Sequence, residues 1–223
     1  MTSHEPIDTV VFDVDGTLVD SNYQHALAWF RAFRRYDLTV QIWQIHRALG
    51  MGGDLLVAHV AGDEVEERHG DALRAAWGEE FEPMLPEVAP LAGVTDLLRS
   101  VKRRGLRLVL ASSGKAEHVD AFLDLTDARS VADGWTTSDD AEKSKPDPEL
   151  IQTALDRVGG RRGLVVGDAT WDSRAAGRAE LPAVAILSGG FSESELRDAG
   201  AIEVFHSLDD VRADLERGAF DAV

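Results

Sequence analysis

Thr9-Val10-Val11-Phe12-Asp13-Val14-Asp15-Gly16-Thr17 runs from an apolar, β-branched segment straight into two aspartates and a glycine. The apolar part predicts a short buried strand over residues 9–12, and Gly16 punctuates its end. Along an extended chain, Asp13 and Asp15 leave on the same side. Two carboxylates at the end of a buried strand are costly unless a cation sits between them. A hard divalent ion with oxygen ligands, Mg²⁺ above all, is the natural neutraliser. The plain alternative is a polar turn after a strand. Asp-x-Asp-Gly-Thr arises by chance in about two chains per thousand of this length, so partners elsewhere in the chain have to decide.

The 223 residues suit one large domain or one domain with an insertion, and a hydrophobic fraction of 44% is ordinary for a chain with a real core. A formal net charge of −17 speaks against a nucleic-acid backbone or an anionic membrane surface as partner. A pocket for a phosphorylated molecule must therefore build its positive field locally, from a metal, a lysine and backbone amides. The absence of cysteine excludes disulfides, zinc-thiolate sites and thiol nucleophiles. Residues 1–8 carry no signal-peptide run, and no stretch is long and apolar enough for a bilayer, so a cytoplasmic protein is expected.

Beyond the aspartates the pattern turns helical. Asp20 or Ser21 stands where it can cap a helix carrying Leu27, Phe30 and Phe33. A second helical pattern covers residues 41–49 and gives way to the flexible Gly50-Met51-Gly52-Gly53-Asp54. Helices are predicted again over 54–60 and 63–81, with Glu64, Glu66, Glu67, Arg68 and Asp71 as a solvated face; Pro83, Pro86 and Pro90 then break the pattern. From Val94 onward, helices and strands alternate: strands over 106–111, 164–166 and 183–186, and helices on Val94, Leu97, Leu98 and Val101, on Leu150, Ile151, Ala154, Leu155 and Val158, and over 173–179. Such alternation predicts parallel βαβ units. The expected class is α/β: a Rossmann-like parallel sheet core from residues 1–18 and 89–223, with residues 19–88 inserted as an all-helical cap.

Ligands in open α/β sheets sit beyond the carboxyl ends of the strands, and further polar groups stand at such ends here. Ser112-Ser113-Gly114-Lys115 precedes a helix and offers a hydroxyl and free amides, an anion cradle or else a plain serine cap. In Lys143-Ser144-Lys145-Pro146-Asp147-Pro148 the prolines stiffen the support of Lys145. A pinned lysine can neutralise a carboxylate and a phosphate oxygen together, although loop lysines are ordinarily just solvated. Gly167-Asp168-Ala169-Thr170-Trp171-Asp172 either adds two carboxylates to the first pair or caps the following helix.

These four motifs, in this order, resemble those of the haloacid dehalogenase superfamily over almost the whole chain. The helical insertion resembles the small cap of the phosphoglycolate-phosphatase-like branch, as do Gly189-Gly190-Phe191 and Ala199-Gly200-Ala201. The resemblance implies a Mg²⁺-dependent phosphatase acting on a small phosphorylated metabolite. Asp13 would be the nucleophile. Asp15 would protonate the leaving oxygen and then activate water. Ser112 would bind a phosphoryl oxygen, helped by amides around Gly16, Thr17 and Ser113, and Lys145 would neutralise nucleophile and phosphoryl group. Mg²⁺ would be held by Asp13, the backbone carbonyl of Asp15 and Asp168, with Asp172 ordering its surroundings. Met51, Gly52, Gly53 and Asp54 would form a specificity loop, with His25 as a further contact.

Asp15 also separates neighbouring chemistries. Haloacid dehalogenases proper lack it; phosphonate-cleaving relatives replace it and add a cap lysine, whereas residues 19–88 contain no lysine. The alternative is a sugar phosphomutase of the β-phosphoglucomutase type. His25 falls at the spacing of that group's cap-linker histidine, but Gly53 stands near the place of its phosphate-binding cap arginine, and Arg47 lies on the preceding predicted helix. A non-catalytic phosphate sensor on the same fold is the reading from another class. His46, His59, His69, His118 and His206 lack metal-ligand spacing and are expected in solvated or capping roles, and Trp135 and Trp171 in packing. Lys115 either leans toward the phosphate or stands at the surface. Hinges are expected near residues 19–21 and 87–90.

Overall fold

In the computed structural model, which describes residues 6–221, the strands are β1 (Thr9–Phe12), β2 (Val19–Asp20), β3 (Ala89–Pro90), β4 (Arg107–Ala111), β5 (Gly134–Thr136), β6 (Gly163–Gly167), β7 (Ala183–Ile186) and β8 (Ala201–Phe205). The helices are α1 (Asn22–Arg35), α2 (Ile42–Ala48), α3 (Gly53–Ala61), α4 (Asp63–Phe81), α5 (Val94–Arg103), α6 (Ala116–Leu125), α7 (Glu149–Val158), α8 (Thr170–Arg178), α9 (Glu193–Asp198) and α10 (Leu208–Glu216). The signal-peptide reading of residues 1–8 falls mostly outside the described residues. Among those described, no helix is long and apolar enough to cross a membrane.

Six strands form one parallel sheet in the order β5-β4-β1-β6-β7-β8. Val10, Phe12, Leu108, Leu110, Leu164 and Val166 turn to one layer with Leu97, Leu98 and Val101 of α5 and Val211 and Leu215 of α10. Val11, Val109 and Val165 turn to the other with Ile151 and Ala154 of α7 and Ala175 and Ala176 of α8. Because both faces are covered, these strands read as continuous apolar runs rather than alternating ones. Register then decides where chemistry can occur. Phe12 pairs with Leu110 on one side and Val166 on the other, so β1, β4 and β6 end level and deliver Asp13, Ser112 and Asp168 to one edge.

Four strands and a helix escape the sequence pattern, the two-residue β2 and β3 among them. β5 is three residues with a glycine, and β8 carries the exposed Ile202 and the acidic Glu203 at the sheet's edge. α10 also goes unread, and α8 starts at Thr170 rather than at residue 173.

Helices α1 to α4 lie between β2 and β3, and these two strands pair antiparallel, Val19 with Pro90 and Asp20 with Ala89. α1 packs on α4 with the rings of Trp29 and Trp77 stacked at 5.5 Å, and Arg35 reaches Glu79 at 2.7 Å. Ser21 occupies the N-cap position of α1 but makes no cap bond, contrary to the capping expectation. Its hydroxyl donates instead to Asp15 Oδ1 at 2.7 Å.

Candidate active site

Asp13 follows β1, Asp168 follows β6, Asp172 lies in the first turn of α8, and Lys145 comes from the loop before α7, where the Lys145–Pro146 peptide is cis. Asp13, Asp168 and Asp172 are buried, and each offers a carboxylate oxygen within 4.8 Å of the others. Lys145, 2% exposed, pairs with Asp13 and, at 2.8 Å, with Asp172. One ammonium does not balance three carboxylates. Burial, and then Asp172, Asp168 and Asp15, push Asp13 well above the ordinary carboxylate range despite Lys145. Burial and Asp172 push Asp168 up to about 7. Burial works against the charge of Lys145, but Asp13 and Asp172 more than offset it and keep the amine protonated.

Asp168 is clamped. Thr17 Oγ1 donates to its Oδ1 at 2.9 Å and Asn22 Nδ2 to its Oδ2 at 2.8 Å. Gly16, at φ +77°, and Gly189 both press on it: a Cβ on either would stand 2.3 Å from Asp168 Oδ2. Asp172 Oδ2 accepts the Ala169 amide at 3.1 Å, so this residue both caps α8 and joins the cluster. Three converging carboxylates with excess negative charge and no soft donor fit a hard divalent cation.

Asp15 belongs to a separate set. Its Oδ1 takes the Ser21 hydroxyl and lies 2.8 Å from His25 Nε2, and its Oδ2 lies 3.5 Å from Ser112 Oγ. Burial favours a higher pKa, yet His25, by charge and hydrogen bond, and Ser21 hold Asp15 below its usual value. The His25 ring stacks on Phe81 at 4.1 Å, which fixes its plane. Ser112 is buried, and its Oγ accepts the Gly114 amide at 3.0 Å.

A cavity of about 290 Å³ opens above Asp13 and Asp15, between the sheet edge and the inserted helices. Of the expected substrate contacts, His25, Gly52, Gly53, Asp54 and Ser113 line it. Gly16 and Thr17 do not: their amides donate to Val19 O at 2.8 Å and Val14 O at 3.2 Å, and both residues serve Asp168 instead. The Gly52 amide donates to Ser144 Oγ at 3.0 Å, and a Cβ there would lie 2.5 Å from Ser144 Cβ, so the glycine loop docks directly beside Lys145.

Several residues differ from the sequence expectation. Arg74, Trp29, Trp77 and Glu142 line the cavity although the sequence does not place them there, and Lys115, which the sequence leaves open between site and surface, lines it too. Arg74 holds Glu66 at 2.8 Å, so Glu66 is only partly solvated. The available signal was the helical period, which puts residues 66, 70, 74, 77 and 81 along one stripe of α4. Arg47 is outside the cavity, paired with Glu195 and 3.9 Å over the Phe191 ring. His118 is buried rather than solvated, packed on Phe81 at 4.8 Å with Nε2 3.0 Å from Glu82 Oε1, because the start of α6 faces the end of α4. His46 is pinned with Nε2 2.9 Å from Gly189 O, and burial lowers its pKa. Trp171 packs as expected and donates its Nε1–H to Arg47 O at 3.1 Å.

The sequence profile of the haloacid dehalogenase-like hydrolases matches residues 7–180, which include all four motifs. Phosphoglycolate phosphatase of Rhodospirillum rubrum is 31% identical over 207 residues, covering 88% of this chain and 86% of its own. Validoxylamine A 7'-phosphate phosphatase of Streptomyces hygroscopicus subsp. limoneus is 29% identical over 184 residues, covering 80% and 84%. A hydrolase from Pseudomonas syringae superposes with a TM-score of 0.88 at 30% identity, over 94% of this chain and 98% of that one. Level strand ends, a carboxylate cluster with its lysine and a helical insertion over the cleft thus accompany a match across most of the sequence, and the chain belongs to the haloacid dehalogenase-like hydrolases.

Proposed function

We propose that the protein is a cytoplasmic, Mg²⁺-dependent phosphomonoesterase that hydrolyses a small phosphorylated metabolite through an aspartyl phosphate on Asp13. The observation that carries this reading is the pairing of Asp13, which lines the cavity, with the buried Lys145 behind it, beside Asp168 and Asp172. The phosphatase names of the relatives above support the same chemistry. An Asp13 oxygen attacks phosphorus while the bond to the leaving oxygen breaks, and Asp15 delivers the proton that this oxygen takes up. Asp15 then removes a proton from water, whose oxygen attacks phosphorus; the bond to Asp13 breaks and inorganic phosphate leaves. Lys145 and Ser112 offset and orient the phosphoryl charge, the largest requirement in phosphoryl transfer. A divalent ion would be held by Asp13, Asp168 and the Asp15 carbonyl, with Asp172 as support, and would supply positive charge against the phosphoryl oxygens.

His25, by charge and hydrogen bond, holds Asp15 below its usual value and fixes its orientation, acting as the positioning partner. Residues 19–88 act as a cap over the core of residues 1–18 and 89–223, turning about the paired β2 and β3 and shutting water out when closed. The test is phosphate release from p-nitrophenyl phosphate with Mg²⁺ or with EDTA, for the wild type and Asp13→Asn. Mg²⁺-dependent release lost in the variant supports the reading, and release unaffected by the substitution refutes it.

The His25–Asp15 contact also suits a phosphomutase, but Arg47 is tied to Glu195 and does not supply a second phosphate site. Conversion of β-glucose 1-phosphate to glucose 6-phosphate without phosphate release would favour that reading. A folded protein that binds phosphate and turns over neither ester would favour a sensor.

A further inference from the structure

The part of the cavity away from Asp13 has a composition that phosphoryl transfer does not call for. Its cap wall is apolar: Trp29 and Trp77, stacked on one another and largely buried, continued by Leu56 and Met51. The Trp77 indole N–H has no acceptor among the described residues.

The charges around this space are unevenly committed. Arg74 is saturated, with Glu66 at 2.8 and 3.1 Å, Asp71 at 2.8 Å and the Gly53 carbonyl at 3.0 Å. His25 serves Asp15, and Lys145 serves Asp13 and Asp172. Lys143 is exposed at the mouth, 4.0 Å from Asp147. The remaining cation is Lys115, whose ammonium rests 5.4 Å over the Trp77 ring. Against it stand the carboxylates of Asp54 and Glu142, which line the same space, face solvent, and have no hydrogen-bond or ion-pair partner among the described residues.

A second carboxylate or phosphate on the substrate would meet two free acids for one cation, an unfavourable balance. An uncharged ring rich in hydroxyls meets none of that repulsion. Its C–H groups can pack against the apolar lining of Leu56, Met51 and the tryptophan pair, and its hydroxyls can donate to Asp54 and Glu142, hydrogen bonds strengthened by the acceptor's charge. We infer that the cavity selects the monophosphate of an uncharged polyhydroxylated ring, a sugar or a cyclitol, over that of a short carboxylic acid. The inference rests on the phosphatase reading only for the phosphate end of the ligand.

Binding tests it independently of turnover. Tryptophan fluorescence of the Asp13→Asn protein with Mg²⁺ would be titrated with glucose 6-phosphate, myo-inositol 1-phosphate, phosphoglycolate and inorganic phosphate. At least one ring phosphate is expected to bind roughly tenfold or more tighter than phosphoglycolate and inorganic phosphate, the scale of one hydrogen bond to a charged group. Which of the two binds identifies the ring. Asp54→Ala and Glu142→Gln, both at solvent-facing positions, are each expected to shrink that preference several-fold, and either variant suffices if the other does not fold. Phosphoglycolate binding as tightly as both ring phosphates, or a preference untouched by both substitutions, overturns the inference. Release of p-nitrophenol by the wild type, measured alongside, reports on the phosphatase reading alone.

Discussion

Thr17→Val is the most direct test of how the acidic cluster is held. Thr17 is fully buried, and valine has nearly its shape, so the substitution removes one hydroxyl and little else. That hydroxyl donates to Asp168 Oδ1 at 2.9 Å, leaving Asn22 as the remaining side-chain donor to this carboxylate. A hydrogen bond to a charged group contributes about 1.5–3 kcal/mol, or about 10–150-fold in an equilibrium constant. Loss of a group that orients a metal ligand typically costs about 10–100-fold in metal affinity. The two estimates agree, so the Mg²⁺ concentration for half-maximal hydrolysis of p-nitrophenyl phosphate should rise about 10–100-fold, while the rate at saturating Mg²⁺ changes little. Acid should widen the gap. Asp168 already sits up to about 7, and losing the Thr17 donor raises it further, so protons compete more effectively with Mg²⁺ in the variant. An unchanged Mg²⁺ requirement in a variant with a lowered Tm would refute the reasoning and reduce Thr17 to packing.

Four further outcomes follow from the same geometry. The folded protein without metal binds protons at Asp13 and Asp168 that the unfolded chain releases near about pH 4. Their contribution to stability is therefore present in acid and lost as pH rises toward neutrality; Mg²⁺, measured against EDTA, should raise Tm more at about pH 7.5 than at about pH 5, and an equal gain would contradict the assignment. Gly189→Ala places a Cβ 2.4 Å from the Asp168 backbone oxygen, which cannot yield as a side-chain tip would; it should cost about 1–3 kcal/mol, lower Tm and weaken Mg²⁺ activation, whereas Gly177→Ala, which meets nothing within 4 Å, should leave both intact. His25→Gln should reduce kcat by roughly tenfold or more and, by releasing Asp15 from the partner that keeps it acidic, shift the acid limb of the pH profile upward; a lower rate with an unmoved limb would assign His25 to packing alone. Arg47→Ala removes a half-exposed pair with Glu195, worth about 1 kcal/mol or less, and should raise KM without lowering kcat if this contact helps hold the cap down.

What the sequence reveals and what it hides have separate physical causes. Asp13, Ser112, Lys145, Asp168 and Asp172 are legible because each breaks an apolar or proline-stiffened pattern at a strand end or helix start, a local event. Arg74 and Glu142 are not, since a charged residue on a helix or loop looks the same whether it faces solvent or a cleft; α4 has to dock on α1 before Arg74 acquires its surroundings. Ser21 shows the reverse case: its local chemistry as a helix cap is sound, but Asp15, drawn near by the β1 turn, claims the hydroxyl. β5 and β8 are hidden because edge strands need not be apolar on both faces, so length and charge break the run that marks β1, β4 and β6.

The pairing of β2 with β3 has a consequence for how such a protein changes over time. The chain leaves the core and returns to it side by side, Asp20 against Ala89, so residues 21–88, mostly helix, form, in topological terms, a single long excursion from one point. Whatever is substituted, lengthened or repacked inside that excursion leaves the strand order, and hence the spacing of Asp13, Ser112 and Asp168, undisturbed. Under the proposed function, substrate preference and bond-breaking are thereby separable inheritances: one can be rewritten in the helices while the other is passed on intact in the sheet.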